Sequence, residues 1–397
     1  MKNLLSKLVL AVGIFLLLSS CKNFLGNKTD VSFIDVPDYS AKPVSYVPIL
    51  PIISTFTDPV DVATGYDQLM YVVDGGTEEI ITFDESLKEL SRLKIPGVKR
   101  VVQDRKLDLI ALGTLDTVIN GIGFKLACAY KINLKNNVYG LSQATIYKKL
   151  VHPFYMNNQV KLTDNEVRFT GVAILGDNSY YMTRTGINST NLIGGPDDAI
   201  IYFDDKNKYQ YYVQVQTSEG LRDDFVKSPK AITSFVMPPQ NSTASTNKGF
   251  AYVTDSPTDP IKVKLINYEI IDGSPAFTLR TDLVVGDTSQ ATGFLYSPQK
   301  FKKPSAITFS GDGTQRIFVT DIGTDSVYVF SNTGLEGITP PPGSVSTKFV
   351  NASFGGNGIG ALQFTDPVAV AYSEKFIFVI DRANHRLMRF KLTVDLR

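Results

Sequence analysis

An eight-residue segment, Phe56-Thr57-Asp58-Pro59-Val60-Asp61-Val62-Ala63, recurs 308 residues later as Phe364-Thr365-Asp366-Pro367-Val368-Ala369-Val370-Ala371. A third copy opens Phe301-Lys302-Lys303-Pro304-Ser305-Ala306-Ile307. Each copy leads into an apolar run ending in aspartate: Met70-Tyr71-Val72-Val73-Asp74, Ile317-Phe318-Val319-Thr320-Asp321 and Ile377-Phe378-Val379-Ile380-Asp381. In all three a phenylalanine stands nine residues beyond that aspartate, at Phe83, Phe330 and Phe390. A spacing shared by three separated segments marks one structural unit used repeatedly. Such a unit buries its apolar face only by stacking on its neighbours.

Weaker copies fill the intervals. Phe225 begins one that leads to Phe250-Ala251-Tyr252-Val253-Thr254-Asp255; Phe169-Thr170-Gly171-Val172-Ala173-Ile174 leads to Tyr180-Tyr181-Met182-Thr183-Arg184; Pro96-Gly97-Val98 leads to Leu109-Ile110-Ala111-Leu112. The total is six. Every unit offers three strand-length segments separated by Gly, Asp, Asn or Pro turns, and no stretch beyond the first residues sustains a 3.6-residue period. The chain therefore reads as all-β. Its 24 Phe and 19 Tyr suit pleated packing, and 43% hydrophobic against 20% charged residues is enough to build a core.

The last unit closely resembles the NHL repeat. Its Pro367-Val368-Ala369-Val370 strand, Phe378-Val379-Ile380-Asp381 strand, Asn384-His385-Arg386 turn and closing Phe390 carry the likeness. The fifth unit has Gly323-Thr324-Asp325-Ser326 at that turn and the first has Gly76-Thr77-Glu78-Glu79, while units two to four keep only the strand pattern. The resemblance implies a six-bladed β-propeller of four-stranded blades around a channel, spanning residues 45–397. The sixth unit ends just after its third strand, and residues 45–54 precede the first unit without a blade of their own. That segment is expected to supply the outer strand of the last blade, which closes the ring and removes exposed edges. Residues 133–165, 186–198, 237–248, 269–300 and 331–357 are in excess of a compact repeat; they read equally as binding loops and as decoration.

The N-terminus carries a different message. Lys2 and Lys7 flank the apolar run of residues 8–18, too short to span a bilayer of roughly 30 Å as a helix and typical of a secretory signal peptide. It ends in Leu18-Ser19-Ser20-Cys21, which resembles the bacterial lipobox. The resemblance implies cleavage of residues 1–20 and palmitate-type acylation of Cys21, giving a lipoprotein anchored by several acyl chains. Residues 21–44 read as a lipidated tether that, as a coil, would hold the domain ~25 Å from the membrane. Lys22, where an aspartate would signal inner-membrane retention, points to the outer membrane of a host that uses that rule. Cys128, in an apolar run, is expected to be a buried free thiol.

Little here supports chemistry. Without residues 1–20 the formal charge is −1, so no basic surplus exists for nucleic acid. Gly355-Gly356-Asn357-Gly358-Ile359-Gly360 resembles a phosphate loop only superficially, since a blade rather than a helix follows. His152 stands alone in an insertion and His385 lies in a turn, too few to build a zinc site or a serine triad. The doubled acids Asp197-Asp198, Asp204-Asp205 and Asp223-Asp224 read as solvated turns. Asp74, Asp255, Asp321 and Asp381 recur at equivalent strand ends and read as structural. No cofactor is expected; calcium, which takes oxygen ligands, stays open. The expected function is binding or scaffolding of a protein or glycan ligand at the cell envelope. The alternative is a hydrolase or lyase working at the central channel, with or without calcium.

Overall fold

The two recurring phenylalanines of each strong repeat meet. Ring centroids lie 6.1 Å apart for Phe56 and Phe83, 5.9 Å for Phe301 and Phe330, and 5.6 Å for Phe364 and Phe390, all edge-to-face. The computed structural model describes residues 44–396 except 136–139, 154–159, 189–194 and 239–246; Cys21, the signal peptide and nearly all of the tether lie outside the described residues.

The six expected units are six blades. Their innermost strands are Pro59–Thr64, Arg100–Gln103, Arg168–Ile174, Pro229–Ser234, Pro304–Phe309 and Pro367–Ser373, in blades 1 to 6. Each innermost strand packs beside those of the preceding and following blades, and blade 6 returns to blade 1, so the ring is closed. The closing segment is where the sequence places it. Tyr46–Ile53 pairs antiparallel with Arg386–Leu392 as the fourth strand of blade 6, with Tyr46 opposite Leu392 and Ile49 opposite Arg389. The buried Tyr46 anchors it, its ring edge-to-face with Phe318 and tilted against Phe354.

The strand-end aspartates explain the conserved order of the repeat units. Asp74 accepts the backbone N–H groups of Thr57, Asp58 and Gly76 at 2.8–3.0 Å, and Asp321 those of Lys302, Lys303 and Gly323 at 2.7–2.9 Å. Each carboxylate thus staples the chain entering its blade to the end of the second strand. Pro59, Pro304 and Pro367 follow directly, each opposite its aspartate and each at a register shift. A residue with no N–H to donate is tolerated at such a bulge. Asp381 accepts from Thr365 N and binds Asn384 Nδ2 and Arg386 Nε, both at 2.8 Å. Arg386 in turn donates to the carbonyls of Ile359, Gly360 and Gln363. The glycine-rich segment is therefore an inter-blade turn held by the Asn-His-Arg motif, with Gly355, Gly356 and Gly358 at φ of 131°, 124° and 146°.

Asp255 departs from its three counterparts. The N–H of Ser228 goes to Asp198 instead, at 2.8 Å, leaving Asp255 partly exposed and facing Lys230. The long insertions also resolve differently from a pure loop reading. Residues 133–165 contain Thr145–Val151, the outer strand of blade 2; residues 269–300 contain Ser274–Leu279, that of blade 4; and residues 331–357 contain Phe354–Gly355, that of blade 5. An extra hairpin, Val215–Thr217 and Gly220–Arg222, extends blade 4 to six strands. Where the outer strand of blade 5 stops after two residues, Ser353 Oγ accepts the N–H of Val329 and Gly337 N donates to its carbonyl. The buried Glu336 carboxylate, held by Lys300 and Ser353, backs this cap. Much of the excess length is thus buttress.

The staple gives a direct test. Asp321→Ala leaves three backbone donors without their acceptor and is expected to cost about 3 kcal/mol of stability; Asp255→Ala is expected to cost less than about 1 kcal/mol. Urea unfolding of the two variants checks this, and equal losses would show that the four aspartates do the same work.

Candidate functional site

The six innermost strands line the channel, and what they present changes along it. Through its middle the wall is apolar, formed by residues such as Val62, Ala63, Val172, Ala173, Ile307 and Val370, and it encloses only about 80 Å³. At the far end the Tyr66 hydroxyl crosses from blade 1 to donate to the carbonyl of Val236, just beyond the inner strand of blade 4, at 3.0 Å. At the end where the innermost strands begin, the channel opens into a funnel of about 410 Å³.

Arg100 separates the two. It enters from blade 2, and its guanidinium donates to the carbonyl of Val60 in blade 1 at 3.1 Å and of Thr170 in blade 3 at 3.2 Å. It also reaches Ser305 O in blade 5 at 3.4 Å. Asp61 completes the set: Oδ1 accepts from Arg100 at 3.1 Å and Oδ2 from Val101 N at 2.9 Å. Burial raises the carboxyl pKa of Asp61 against the opposing pull of Arg100. The remaining blades are tied in by hydroxyls, Thr170 Oγ1 donating to Pro229 O and Ser305 Oγ to Pro367 O. The funnel therefore has a polar, hydrogen-bonded floor.

Its walls are basic. Lys99, Arg100, Arg168, Lys230, Lys303 and Arg382 line it, with Asp255 the single acid among the described lining residues and Val60, Phe169, Pro304, Ile322 and Val368 between them. Lys99, Arg168, Lys230 and Lys303 are exposed. Arg382 is paired with Asp58 at 2.6 Å, and that hydrogen bond holds the Asp58 carboxyl below its usual pKa.

No protein-family model and no curated protein matches this sequence. Solved structures match its shape. A luciferin-regenerating enzyme superposes with a TM-score of 0.52 at 9% identity, covering 88% of this chain and 95% of that one. A protein of unknown function from Bacteroides thetaiotaomicron gives 0.50 at 10% identity, covering 87% and 73%. A putative gluconolactonase gives 0.50 at 9% identity, covering 88% and 92%. The likeness is one of fold. All three structures share the propeller architecture with this chain, and at such identities nothing about a site is transferred.

The funnel residues do not fit calcium, because the described lining carries six cations against the three carboxylates paired with them, and that excess repels a divalent cation. Among the described residues no three His, Cys, Asp or Glu side chains are grouped to hold a metal ion. The doubled acids serve turns: Asp197 accepts from Asn188 N, Asp204 from Lys206 N and Lys208 N, and Asp224 pairs with Arg222. Cys128 is fully buried, and burial pushes its thiol pKa up to about 12, as its apolar context predicts. His385 is exposed in its turn at φ 53°.

His152 is not the isolated insertion residue that the sequence suggests. It follows the outer strand of blade 2 and is wholly buried, with Nε2 3.2 Å from Asp164 Oδ1. Asp164 also accepts from Lys161 N at 2.7 Å. The pair is remote in sequence pattern because Asp164 belongs to the short 3₁₀ turn Leu162–Glu166, which carries no repeat signature. The funnel cations were equally hidden. Their one signal is position, since Lys99, Arg100, Arg168, Lys230 and Lys303 all fall within two residues of the start of an innermost strand.

Burial, with the nearby charge of Arg184, lowers the His152 pKa from 6.5 to about 4. The folded protein thus holds the neutral imidazole, while the unfolded chain protonates it below about pH 6.5. Stability from this group is complete above pH 6.5 and is lost as pH falls toward 4, at up to about 1.4 kcal/mol per pH unit. Urea midpoints between pH 7 and 4.5 should fall more steeply for the wild type than for His152→Gln; parallel curves would show that another group carries the acid sensitivity.

Proposed function

We propose that the protein is an envelope lipoprotein, anchored through acyl chains on Cys21, whose propeller binds a protein or glycan ligand at the funnel. The observation that carries the binding reading is the funnel itself: a solvent-open recess of about 410 Å³, within the range of about 300–1,000 Å³ usual for ligand clefts. Its floor is built from a guanidinium already committed to protein acceptors. General acid–base chemistry needs a proton donor and acceptor poised at a reacting centre. Here the one lining carboxylate, Asp255, faces Lys230 at 3.5 Å, and the floor carboxylate Asp61 is occupied by Arg100 and Val101. That arrangement supports capture of a ligand over its turnover.

The anchoring half rests on the Leu18-Ser19-Ser20-Cys21 segment and the basic-flanked apolar run before it; Lys22 favours delivery to the outer membrane in a host that retains +2 aspartate lipoproteins at the inner one. The tether would place the propeller beyond the headgroups, free to meet ligands in solution.

Two measurements test the proposal. Wild-type protein should sediment with membranes and resist a high-salt wash, whereas Cys21→Ala should appear in the soluble fraction with unchanged thermal unfolding. A variant that stays with the membrane after the wash sinks the anchor. Lipidated protein in nonionic detergent, incubated with candidate saccharides, should return them intact by mass spectrometry; cleavage or elimination products would replace the binding reading with an enzymatic one.

A further inference from the structure

The funnel's charges do not balance, and the imbalance has a pattern. Three of its six cations have a carboxylate partner: Arg100 with Asp61 at 3.1 Å, Lys230 with Asp255 at 3.5 Å and Arg382 with Asp58 at 2.6 Å. Lys99, Arg168 and Lys303 form no ion pair among the described residues, and all three are exposed on the wall. They come from blades 2, 3 and 5, so they surround the axis instead of lining one side. Arg168 is held in place by Nη1, which donates to the carbonyls of Asn165 and Val167. Lys303 is held by its own N–H, which donates to the buried Asp321. Like charges gathered at the mouth of an apolar channel repel one another and focus a positive potential outward. A bound anion relieves that repulsion.

We infer that the funnel takes a compact saccharide of about one or two rings bearing carboxylate or sulfate groups, with Lys99, Arg168 and Lys303 as its charge contacts. The inference rests on reading the funnel as the binding site and adds the chemistry of the ligand. Its size follows from the cavity. Its compactness follows from the wall, where the polar groups nearest the axis are spent on one another: the Thr170 and Ser305 carbonyls on Arg100, and their hydroxyls on Pro229 and Pro367. An extended peptide is recognised largely through backbone hydrogen bonds, which this wall does not offer. What remains is point charge set between aliphatic patches at Val60, Pro304, Ile322 and Val368, suited to a ring with anionic substituents and C–H faces.

The test is titration calorimetry of the lipidated protein in nonionic detergent against four probes: a sulfated disaccharide, a carboxylated disaccharide, a neutral disaccharide of the same size, and triglutamate. At least one of the two anionic sugars should bind, the neutral sugar should bind at least about tenfold more weakly, and binding should weaken as salt rises. Arg168→Ala and Lys303→Ala should each weaken the anionic sugar about tenfold. Lys302→Ala, an exposed neighbour that does not line the funnel, should leave affinity unchanged; thermal unfolding verifies that each variant is folded. Equal binding of the neutral sugar overturns the charge assignment while leaving the binding module intact. Triglutamate binding as tightly as the sugars overturns the saccharide assignment. Equal losses in all three variants reassign the effect to general surface charge. If none of the four probes binds, both this inference and the funnel reading fall.

Discussion

A carboxylate buried at the end of a second strand governs where each strong blade begins. Asp74 and Asp321 collect backbone donors from the chain that enters the blade, and Asp381 does the same with help from Asn384 and Arg386. Among these donors Lys303 links the staple to the recess, since its main chain is bound to Asp321 while its side chain lines the funnel. In blade 4 the donor is taken over by Asp198, and Asp255 is released to become the funnel's acidic member. One structural exchange between neighbouring blades thus gives the recess its lining carboxylate.

Arg100 is the second fixed point. Desolvating a guanidinium is expensive unless its donors are satisfied, and here it meets three backbone carbonyls and a carboxylate from several blades. Because these acceptors belong to blades 1, 3 and 5, the interaction also resists relative rotation of the blades. It divides the channel into an open charged recess and a narrow apolar interior, so the two ends of the ring are chemically separate.

The fold was legible because it repeats. Phe56, Phe83, Pro59 and Asp74 perform the same tasks as Phe301, Phe330, Pro304 and Asp321, and repetition exposes such tasks at the level of spacing. The closing strand could be read by counting, since one blade lacked a strand and one segment lacked a blade. The site was less legible. Lys99, Arg168 and Lys303 share only their nearness to a strand start and no residue pattern, and acidic turns elsewhere cancel their charge in a chain whose formal net charge is +1. The His152–Asp164 contact was invisible for a related reason: it joins a strand end to a short turn outside the repeat. The outer strands of blades 2, 4 and 5 were expected from the four-stranded blade but not located, because their positions within the insertions vary.

The strand that closes the ring is also the first strand among the described residues. Ser45 and Thr393 exchange hydrogen bonds where the chain arrives, and the Tyr46–Leu392 pairing follows at once. Any pull transmitted through the preceding residues is therefore delivered to the ring's clasp. Drawn along the strand, the load is shared by the whole ladder in shear; drawn across it, the ladder opens rung by rung from Ser45. The mechanical strength of the propeller is thus directional, greatest when the chain leaves in line with its last blade.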